Sequence, residues 1–222
     1  MCISWLKVSI TRLIYDTGTL GVDEIRFAST KDGDTLTLHD VNFIERIVID
    51  QGALASLNLD ASALVDDLVL IGNNSANSIT GGIGNDTLSG NGGADTFVIA
   101  DGVDSVTDLG NGGDLLQVSV GAMVEATVVS AWTATSDMIN EGEAQLNTAG
   151  FDVDLSAVTT GQGFSVTNTS ATGAKLAGSG MGDALTGGTG NDVLTGNGGV
   201  DTFVVDGMDA ITDLGKGGAD VV

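Results

Sequence analysis

The sequence contains no proline, one cysteine and one histidine, and aromatic residues make up only 4% of its 222 positions. Cys2 has no second cysteine in the sequence with which to pair. A disulfide framework and zinc ligation by cysteine are therefore excluded. His39 lies in a strand-like stretch, where a lone histidine is more often structural than catalytic.

Sequence motifs of common enzyme sites are also missing. There is no H-E-x-x-H, no G-x-S-x-G and no G-x-x-x-x-G-K-[ST]. Asp16, Thr17 and Gly18 match the aspartic-protease triplet, but no second copy exists and such a triplet is more typical of a turn. The sequence therefore predicts a chain that is not itself an enzyme.

Long apolar runs are absent as well. No stretch approaches the roughly 18 consecutive apolar residues of a membrane-spanning helix, so no such segment is expected. The amino terminus is interrupted by Lys7 and Arg12 and lacks a small-residue cleavage site, which does not fit a signal peptide. Because the chain ends at GGADVV, inside a repeat unit described below, we expect it to be a piece of a longer protein.

Basic residues are scarce: seven Lys and Arg stand against 30 Asp and Glu, giving a net charge of −23. Residues 1–46 hold five basic and seven acidic residues, whereas residues 47–222 hold two basic and 23 acidic ones. Such charge repels phosphates, so neither nucleic acid nor an anionic membrane is an expected partner. Since 42% of the residues are hydrophobic, permanent disorder is not expected either. The composition indicates a chain that compacts once cations neutralise it.

Glycine is abundant, with 34 residues, and many of these glycines recur at regular spacing. The stretch from Gly81 to Val98 consists of two nine-residue units, GGIGNDTLS and GNGGADTFV. Both carry glycine at positions 1 and 4, aspartate at position 6 and a large apolar residue at position 8. Two similar units, GGTGNDVLT and GNGGVDTFV, occupy Gly187 to Val204. The units follow the nonapeptide pattern G-G-x-G-x-D-x-U-x.

This unit supplies the donors that calcium prefers. Glycine permits tight turns whose carbonyl oxygens can point toward a common centre. Calcium takes about six to eight oxygen ligands, and magnesium is less suited because it requires tight octahedral geometry. The alternative is that the aspartates are solvated turn residues, as in many Asn-Asp turns. Five good units in two phased blocks favour the calcium interpretation.

On these units the chain resembles the repeats-in-toxin (RTX) family, with its haemolysin-type calcium-binding repeats. The resemblance implies an all-β fold, a right-handed parallel β-roll or β-solenoid in which two units form one coil. It also implies that units n and n+2 hold one calcium ion, so that paired aspartates occupy the same position in alternate units, as Asp86 and Asp104 do. Export by type I secretion machinery, with an uncleaved carboxy-terminal signal, would explain the missing signal peptide.

Two blocks of units are predicted. Units begin at Gly72, Gly81 and Gly90, with a degenerate unit at 99–107, and again at Gly178, Gly187 and Gly196. The residues predicted to face the core are Ile79, Leu88, Phe97, Val106, Leu185, Leu194 and Phe203. The predicted calcium ligands, side-chain oxygens of Asn and Asp and the backbone of Gly, are Asn77, Gly82, Gly84, Asp86, Gly93, Asp95, Gly102, Asp104, Asp183, Gly188, Gly190, Asp192, Gly199, Asp201 and Asp209.

The predicted sites differ in strength. Asp86 and Asp104 form an all-aspartate pair, whereas Asn77 offers Asp95 only a neutral carbonyl oxygen. Asp183 and Asp201 keep the two-unit spacing, but Asp209 lies one position too close to Asp192. Ser75 and Met181 replace the position-4 glycine in the first unit of each block.

The predicted organisation has five parts. Residues 1–13 are unassigned, 14–71 form a solenoid segment of strands, 72–118 the first calcium block, 119–177 a β-rich spacer with a loop bulging at 137–143, and 178–222 a truncated second block. Residues 95–118 parallel 201–222, so spacer and calcium block together form a long repeat.

The sequence predicts a non-catalytic, calcium-binding segment of a secreted or cell-surface bacterial protein of the adhesin or surface-array type, which folds on calcium after export. Its extracellular surface or matrix partner is unknown. The alternative is the carboxy-terminal export and folding module of an RTX-type toxin or secreted hydrolase, with the catalytic domain outside this chain. Two blocks separated by a long spacer favour the first interpretation.

Overall fold

A computed structural model describes the chain at residues 12–14, 21–39 and 43–222. These residues form short β-strands joined by glycine-rich turns. The largest sheet, which we call the front wall, has eleven strands in the spatial order β1 (Arg12–Ile14), β2 (Glu24–Phe27), β4 (Arg46–Ile49), β6 (Val69–Ile71), β8 (Thr87–Ser89), β10 (Val103–Leu109), β12 (Met123–Val128), β15 (Glu143–Asn147), β17 (Phe164–Thr167), β19 (Ala184–Thr186) and β21 (Thr202–Val204). No helix occurs in these residues, and so none there is long and apolar enough to cross a membrane.

Two further sheets form what we call the back wall. The six-stranded sheet has the order β3 (Thr35–Thr37), β5 (Asn58–Asp60), β7 (Ser78–Thr80), β9 (Thr96–Ile99), β11 (Leu115–Val118) and β14 (Ile139–Asn140). The five-stranded sheet has the order β13 (Trp132–Thr133), β16 (Val153–Asp154), β18 (Lys175–Ala177), β20 (Val193–Thr195) and β22 (Ala210–Ile211).

From β2 onward the chain passes between the front and back walls, so neighbouring front strands lie one coil apart and pair in parallel. The result is a parallel β-solenoid of about nine coils, which confirms the predicted all-β class. Among the described strands, only β1 pairs antiparallel, with β2. This places a short strand at Arg12–Ile14, where the sequence pattern predicts no element before residue 14.

The nonapeptide determines the length of a coil. Leu70 pairs with Leu88 and Leu88 with Val106, so each coil in the first block is two nonapeptides long. In the spacer, Glu125 pairs with Gln145, so the coil there is longer. Coils outside the blocks are longer because their turns do not follow the glycine pattern.

The core is a column of single apolar side chains between the walls. Every residue predicted to face inward is buried, with a relative exposure of 0% or 1%: Ile79, Leu88, Phe97, Val106, Leu185, Leu194 and Phe203. Leu88 stacks on Val106 in the front wall and Ile79 on Phe97 in the back wall, which confirms that alternate units stack. Each such aliphatic or aromatic side chain stabilises the fold by about 1.5–3 kcal/mol.

One spacer coil divides the back wall. Between β12 and β15 it carries both β13 and β14, so the six-stranded sheet ends where the five-stranded one begins. Trp132 in β13 is buried and donates its indole N–H to the carbonyl of Asp114 at 3.0 Å. The predicted loop at 137–143 is partly wrong, because Ile139 pairs in parallel with Gln117.

Candidate metal centre

The predicted ligands lie in turns along two edges of the solenoid. The first turn edge, which leads from the back wall to the front wall, contains residues 81–86, 100–104, 178–183 and 196–201. The second turn edge, which leads from the front wall to the back wall, contains residues 72–77, 90–95, 187–192 and 206–209. Each block therefore contributes turns to both edges.

A repeated hydrogen bond joins the predicted pairs. On the first turn edge, Asp104 accepts the backbone N–H of Asp86 through Oδ1 at 2.8 Å, and Asp201 accepts that of Asp183 at 2.9 Å. On the second turn edge the same bond links Asn77 to Asp95 at 2.8 Å and Asp192 to Asp209 at 2.9 Å. The structure thus brings together all four predicted pairs, including Asp192 and Asp209, which lie one residue closer in sequence than the other pairs do.

The turns are of two kinds, which differ in whether the second carboxylate oxygen, Oδ2, accepts a hydrogen bond. Asp86 accepts the N–H of Gly82 through Oδ2 at 2.6 Å, and Asp183 accepts that of Ser179 at 2.6 Å. In four other aspartates Oδ2 is buried and has no hydrogen-bond partner among the described residues: Asp95, Asp104, Asp192 and Asp201. These four oxygens are distributed one to each turn edge in each block.

A buried carboxylate oxygen without a donor is costly unless a charge compensates it. Glycine at position 1 leaves room for that charge. A Cβ on Gly81 would lie 2.8 Å from Asp86 Oδ2 and 3.1 Å from Asp104 Oδ2. On Gly90 it would collide with Asp95 Oδ2, and on Gly196 with Asp201 Oδ2. The space beside the unpaired oxygens therefore exists because no side chain fills it.

The other glycines bring neighbouring turns into contact. All seven predicted backbone ligands lie in these turns: Gly82, Gly84, Gly93, Gly102, Gly188, Gly190 and Gly199. Gly93 and Gly199 have φ of +114° and +101°, and a Cβ on either would meet backbone atoms of Ser75 or Met181 in the adjacent coil. The carbonyl of Gly102 also accepts the N–H of Met123 at 3.0 Å.

Backbone oxygens are needed to complete any cation site. No group of three or more His, Cys, Asp or Glu side chains suited to a metal ion occurs in the described part of the chain. A mixed set of carboxylate and carbonyl oxygens matches the ligand preference of calcium. The residues present thus fit a hard divalent cation held partly by the backbone.

Burial disfavours the ionised form of these carboxylates and so raises their pKa values. Desolvation raises the pKa of Asp95 and of Asp104 to about 7, and that of Asp183 to about 6. Asp86 adds to the rise in the pKa of Asp104, because its carboxylate is close. Burial also raises the pKa of Asp114 and Asp201 above the usual range. A bound cation would offset this cost and keep the groups ionised.

Four aspartates at these edges were missing from the predicted set. Asp114 accepts the N–H of Asp95 at 2.9 Å, and Asp220 accepts that of Asp201 at 3.1 Å, so both ladders extend by one coil. Asp108 and Asp213 accept the N–H groups of Asn91 and Asn197, at 2.8 Å each. The parallel between residues 95–118 and 201–222 contains all four and is the signal that identifies them.

Asn77 is placed differently from the aspartates. Its Oδ1 accepts the N–H of Asn73 at 2.8 Å, and its Nδ2 donates to the carbonyl of Leu57 at 2.7 Å. Both ends of this carboxamide are therefore used within the protein.

Comparison with known families agrees with this geometry. The family model of the RTX calcium-binding nonapeptide repeat matches residues 69–106 and 178–207, with four copies. The matched segments make up less than a third of the 222 residues, and each overlaps one of the two predicted blocks. No curated protein and no solved structure matches the chain.

Proposed function

Because the chain carries RTX calcium-binding nonapeptide repeats in two blocks of a parallel β-solenoid, we propose that it is a non-catalytic segment of a secreted or cell-surface bacterial protein. In this proposal the segment belongs to an adhesin or surface array and folds on calcium after export through type I secretion machinery. Its binding partner is an extracellular surface or matrix component.

The observation that carries the proposal is the set of four buried, unpaired Oδ2 atoms, of Asp95, Asp104, Asp192 and Asp201. These aspartates would hold calcium together with carbonyls of the neighbouring glycine turns. When bound, the ion supplies positive charge that compensates the buried carboxylates. The position-1 glycines keep the space open, and the aspartate ladder holds successive coils in register.

Charge supports an extracellular role. Residues 47–222 carry 23 acidic and two basic side chains, so the calcium-free blocks repel themselves. Extracellular calcium modules typically bind at about 10⁻⁴–10⁻³ M, far above the free calcium of a cytoplasm. Calcium-binding blocks of this kind stay extended until they leave the cell. The continuous solenoid through the spacer would hold the two blocks apart as a rigid rod.

Calorimetric titration of the metal-free chain tests the calcium part directly. We expect several equivalents of calcium to bind, accompanied by a gain of β signal in circular dichroism, while magnesium at the same concentration produces much less of either. A chain that takes up no calcium, or one whose spectrum does not change, contradicts the proposal.

Location requires a separate experiment. Antibodies against the chain should label intact cells of the organism that encodes it, or detect the protein in the medium, and protease added to intact cells should remove the surface signal. Retention of the protein inside the cells contradicts the secreted role. Recovery of a hydrolase activity on the same polypeptide favours the export module of an enzyme instead.

A further inference from the structure

The turn at residues 72–77 is the amino-terminal member of the second turn edge in the first block, and two buried carboxamides make many of its polar contacts. Asn73 and Asn77 are buried, with relative exposures of 0% and 3%. Asn73 donates through Nδ2 to the carbonyls of Ala53 at 2.9 Å and Ala55 at 3.2 Å. The preceding turn therefore directs its carbonyl oxygens at amide N–H groups.

The orientation of the Asn77 carboxamide follows from a backbone donor. Its oxygen accepts the N–H of Asn73 at 2.8 Å, so the NH2 group must occupy the opposite side. That NH2 donates to the carbonyl of Leu57 at 2.7 Å and to Asn73 Oδ1 at 3.0 Å. The oxygen that a cation would need already accepts one backbone N–H, and the N–H hydrogens of the carboxamide point at carbonyl acceptors.

The carbonyl oxygen of Gly72 likewise accepts hydrogen bonds from side-chain amides. It accepts the Nε2 group of Gln51 at 2.6 Å and the Nδ2 group of Asn91 at 2.8 Å. A carbonyl oxygen has two lone pairs, and here each faces a side-chain amide. We call the group formed by Gln51, Asn73, Asn77 and Asn91 the amide cap.

From this arrangement we propose that the amide cap replaces calcium at the amino-terminal end of the second turn edge, so that the calcium ladder begins at Asp95 and Asn77 binds no ion. The proposal rests on the proposed function and specifies which turns of the solenoid depend on calcium. The physical reason is that an amide N–H supplies partial positive charge to a carbonyl oxygen without adding a carboxylate to the cluster. The four carbonyls of Ala53, Ala55, Leu57 and Gly72 are satisfied without metal.

A similar device lies at the start of the second block, in the spacer turn just before it and in its own first turn. Asn168 is buried and donates through Nδ2 to the carbonyl of Thr172 at 2.8 Å and to Asp192 Oδ1 at 2.9 Å. On the other edge, Ser179 donates its hydroxyl to the carboxylate of Asp183 at 3.0 Å. In the second block, as at Asp95 in the first, each unpaired oxygen therefore occurs one coil after a turn that contains a neutral side-chain donor.

Alanine substitutions at position 6 of stacked units distinguish a cap from a ligand. Asn77→Ala should leave the number of bound calcium equivalents unchanged while lowering the thermal midpoint in saturating calcium, because buried carbonyls lose their donors. The matched variant Asp95→Ala should lose one equivalent. Loss of one equivalent in Asn77→Ala overturns the proposal, as does an unchanged thermal midpoint.

Hydrogen exchange of the unmodified chain gives an independent readout that does not depend on a variant folding. In metal-free buffer, amides of strands β4 to β6 (Arg46–Ile71), which lie amino-terminal to the turn at residues 72–77, should exchange at least tenfold more slowly than those of β8 to β10 (Thr87–Leu109). Calcium should then slow exchange in β8 to β10. Equal exchange of both segments without metal overturns the cap. A wild-type chain that binds no calcium defeats the proposed function instead, whatever the exchange pattern of the first segment.

Discussion

At the scale of single residues, the candidate metal centre depends as much on glycine, which has no side chain, as on the aspartate carboxylates. Position-1 glycines leave space next to the unpaired Oδ2 atoms of Asp95, Asp104 and Asp201, and Gly190 at position 4 does so next to that of Asp192. Position-4 glycines allow the turns of adjacent coils to touch. The glycines of the nonapeptide thus meet two different steric requirements: space for the ion, and close approach of the backbones of adjacent coils.

Gly90 and Gly92 offer a test of the first requirement within one turn. Neither has a positive φ, but a Cβ on Gly90 would collide with Asp95 Oδ2, whereas on Gly92 its nearest atom would be 3.6 Å away. Gly90→Ala should therefore lose one calcium equivalent and about 1–3 kcal/mol of stability in calcium, the usual cost of overpacking. Gly92→Ala should retain both. Calorimetry and thermal denaturation check this, and equal effects of the two variants contradict the assignment of the site.

Protonation should partly substitute for calcium. In the folded chain the pKa values of Asp95 and Asp104 are raised from 3.8 to about 7, and that of Asp183 to about 6, because the groups are buried. The neutral forms therefore favour folding: this contribution is fully present below about pH 3.8 and is lost as the pH rises through about 6–7. The metal-free chain should have a higher thermal midpoint at pH 5 than at pH 8.

The matched variant for this prediction is Asp104→Asn, which keeps the side chain neutral at every pH. It should weaken the pH dependence of the metal-free chain and also lose calcium. A metal-free chain that is more stable at pH 8 than at pH 5 contradicts the role given to burial.

At the scale of elements, the short strands depend on stacking for their stability. Short strands such as β7 and β8 each bury one large side chain, and that side chain contacts its counterparts one coil away. In such an array, each coil interacts mainly with its neighbours. Damage to one coil should therefore stay near its block.

Phe97 tests this locality. It is fully buried in β9, between Ile79 and Leu116, so Phe97→Ala should cost about 3–5 kcal/mol. Calcium binding at Asp95 and Asp104 should weaken, because their turns flank the damaged strand. The second block should bind calcium almost normally.

Phe203 is the matched position in the second block, with a relative exposure of 1%. Phe203→Ala should reverse the pattern, weakening calcium binding in the second block and sparing the first. Site-resolved calcium titration by NMR would distinguish the two blocks. Equal weakening of both blocks by either variant indicates one cooperative globule and contradicts the modular solenoid.

At the scale of the whole molecule, charge and architecture together predict folding coupled to calcium. A net charge of −23 opposes compaction, and binding free energy then contributes directly to folding. Adding calcium to the metal-free chain should increase the β signal with a midpoint near ~10⁻⁴–10⁻³ M. Potassium chloride at matched ionic strength is the control for simple screening. A β spectrum that is already complete in chelator contradicts this prediction.

Much of this fold follows from period and residue type. Nine-residue spacing, glycine at positions 1 and 4 and one apolar residue at position 8 indicate a solenoid with Leu88 above Val106, and the structure confirms it. The spacer was less predictable. Its longer coils have no fixed turn motif, so neither the strand at Ile139–Asn140 nor the division of the back wall at Trp132 is visible in the pattern.

The sequence by itself determined which residues meet, because a constant period places equivalent side chains of alternate units on the same edge of successive coils. Asp86 and Asp104 are neighbours for that reason. Only the tertiary structure decided which lone pairs remain available. Asp86 Oδ2 is taken by the N–H of Gly82, Asp104 Oδ2 has no donor within the part of the chain that the structure describes, and Asn77 acts as a donor to Leu57. The physical reason is that each hydrogen bond depends on local turn geometry and on the coil alongside, neither of which a repeat pattern encodes.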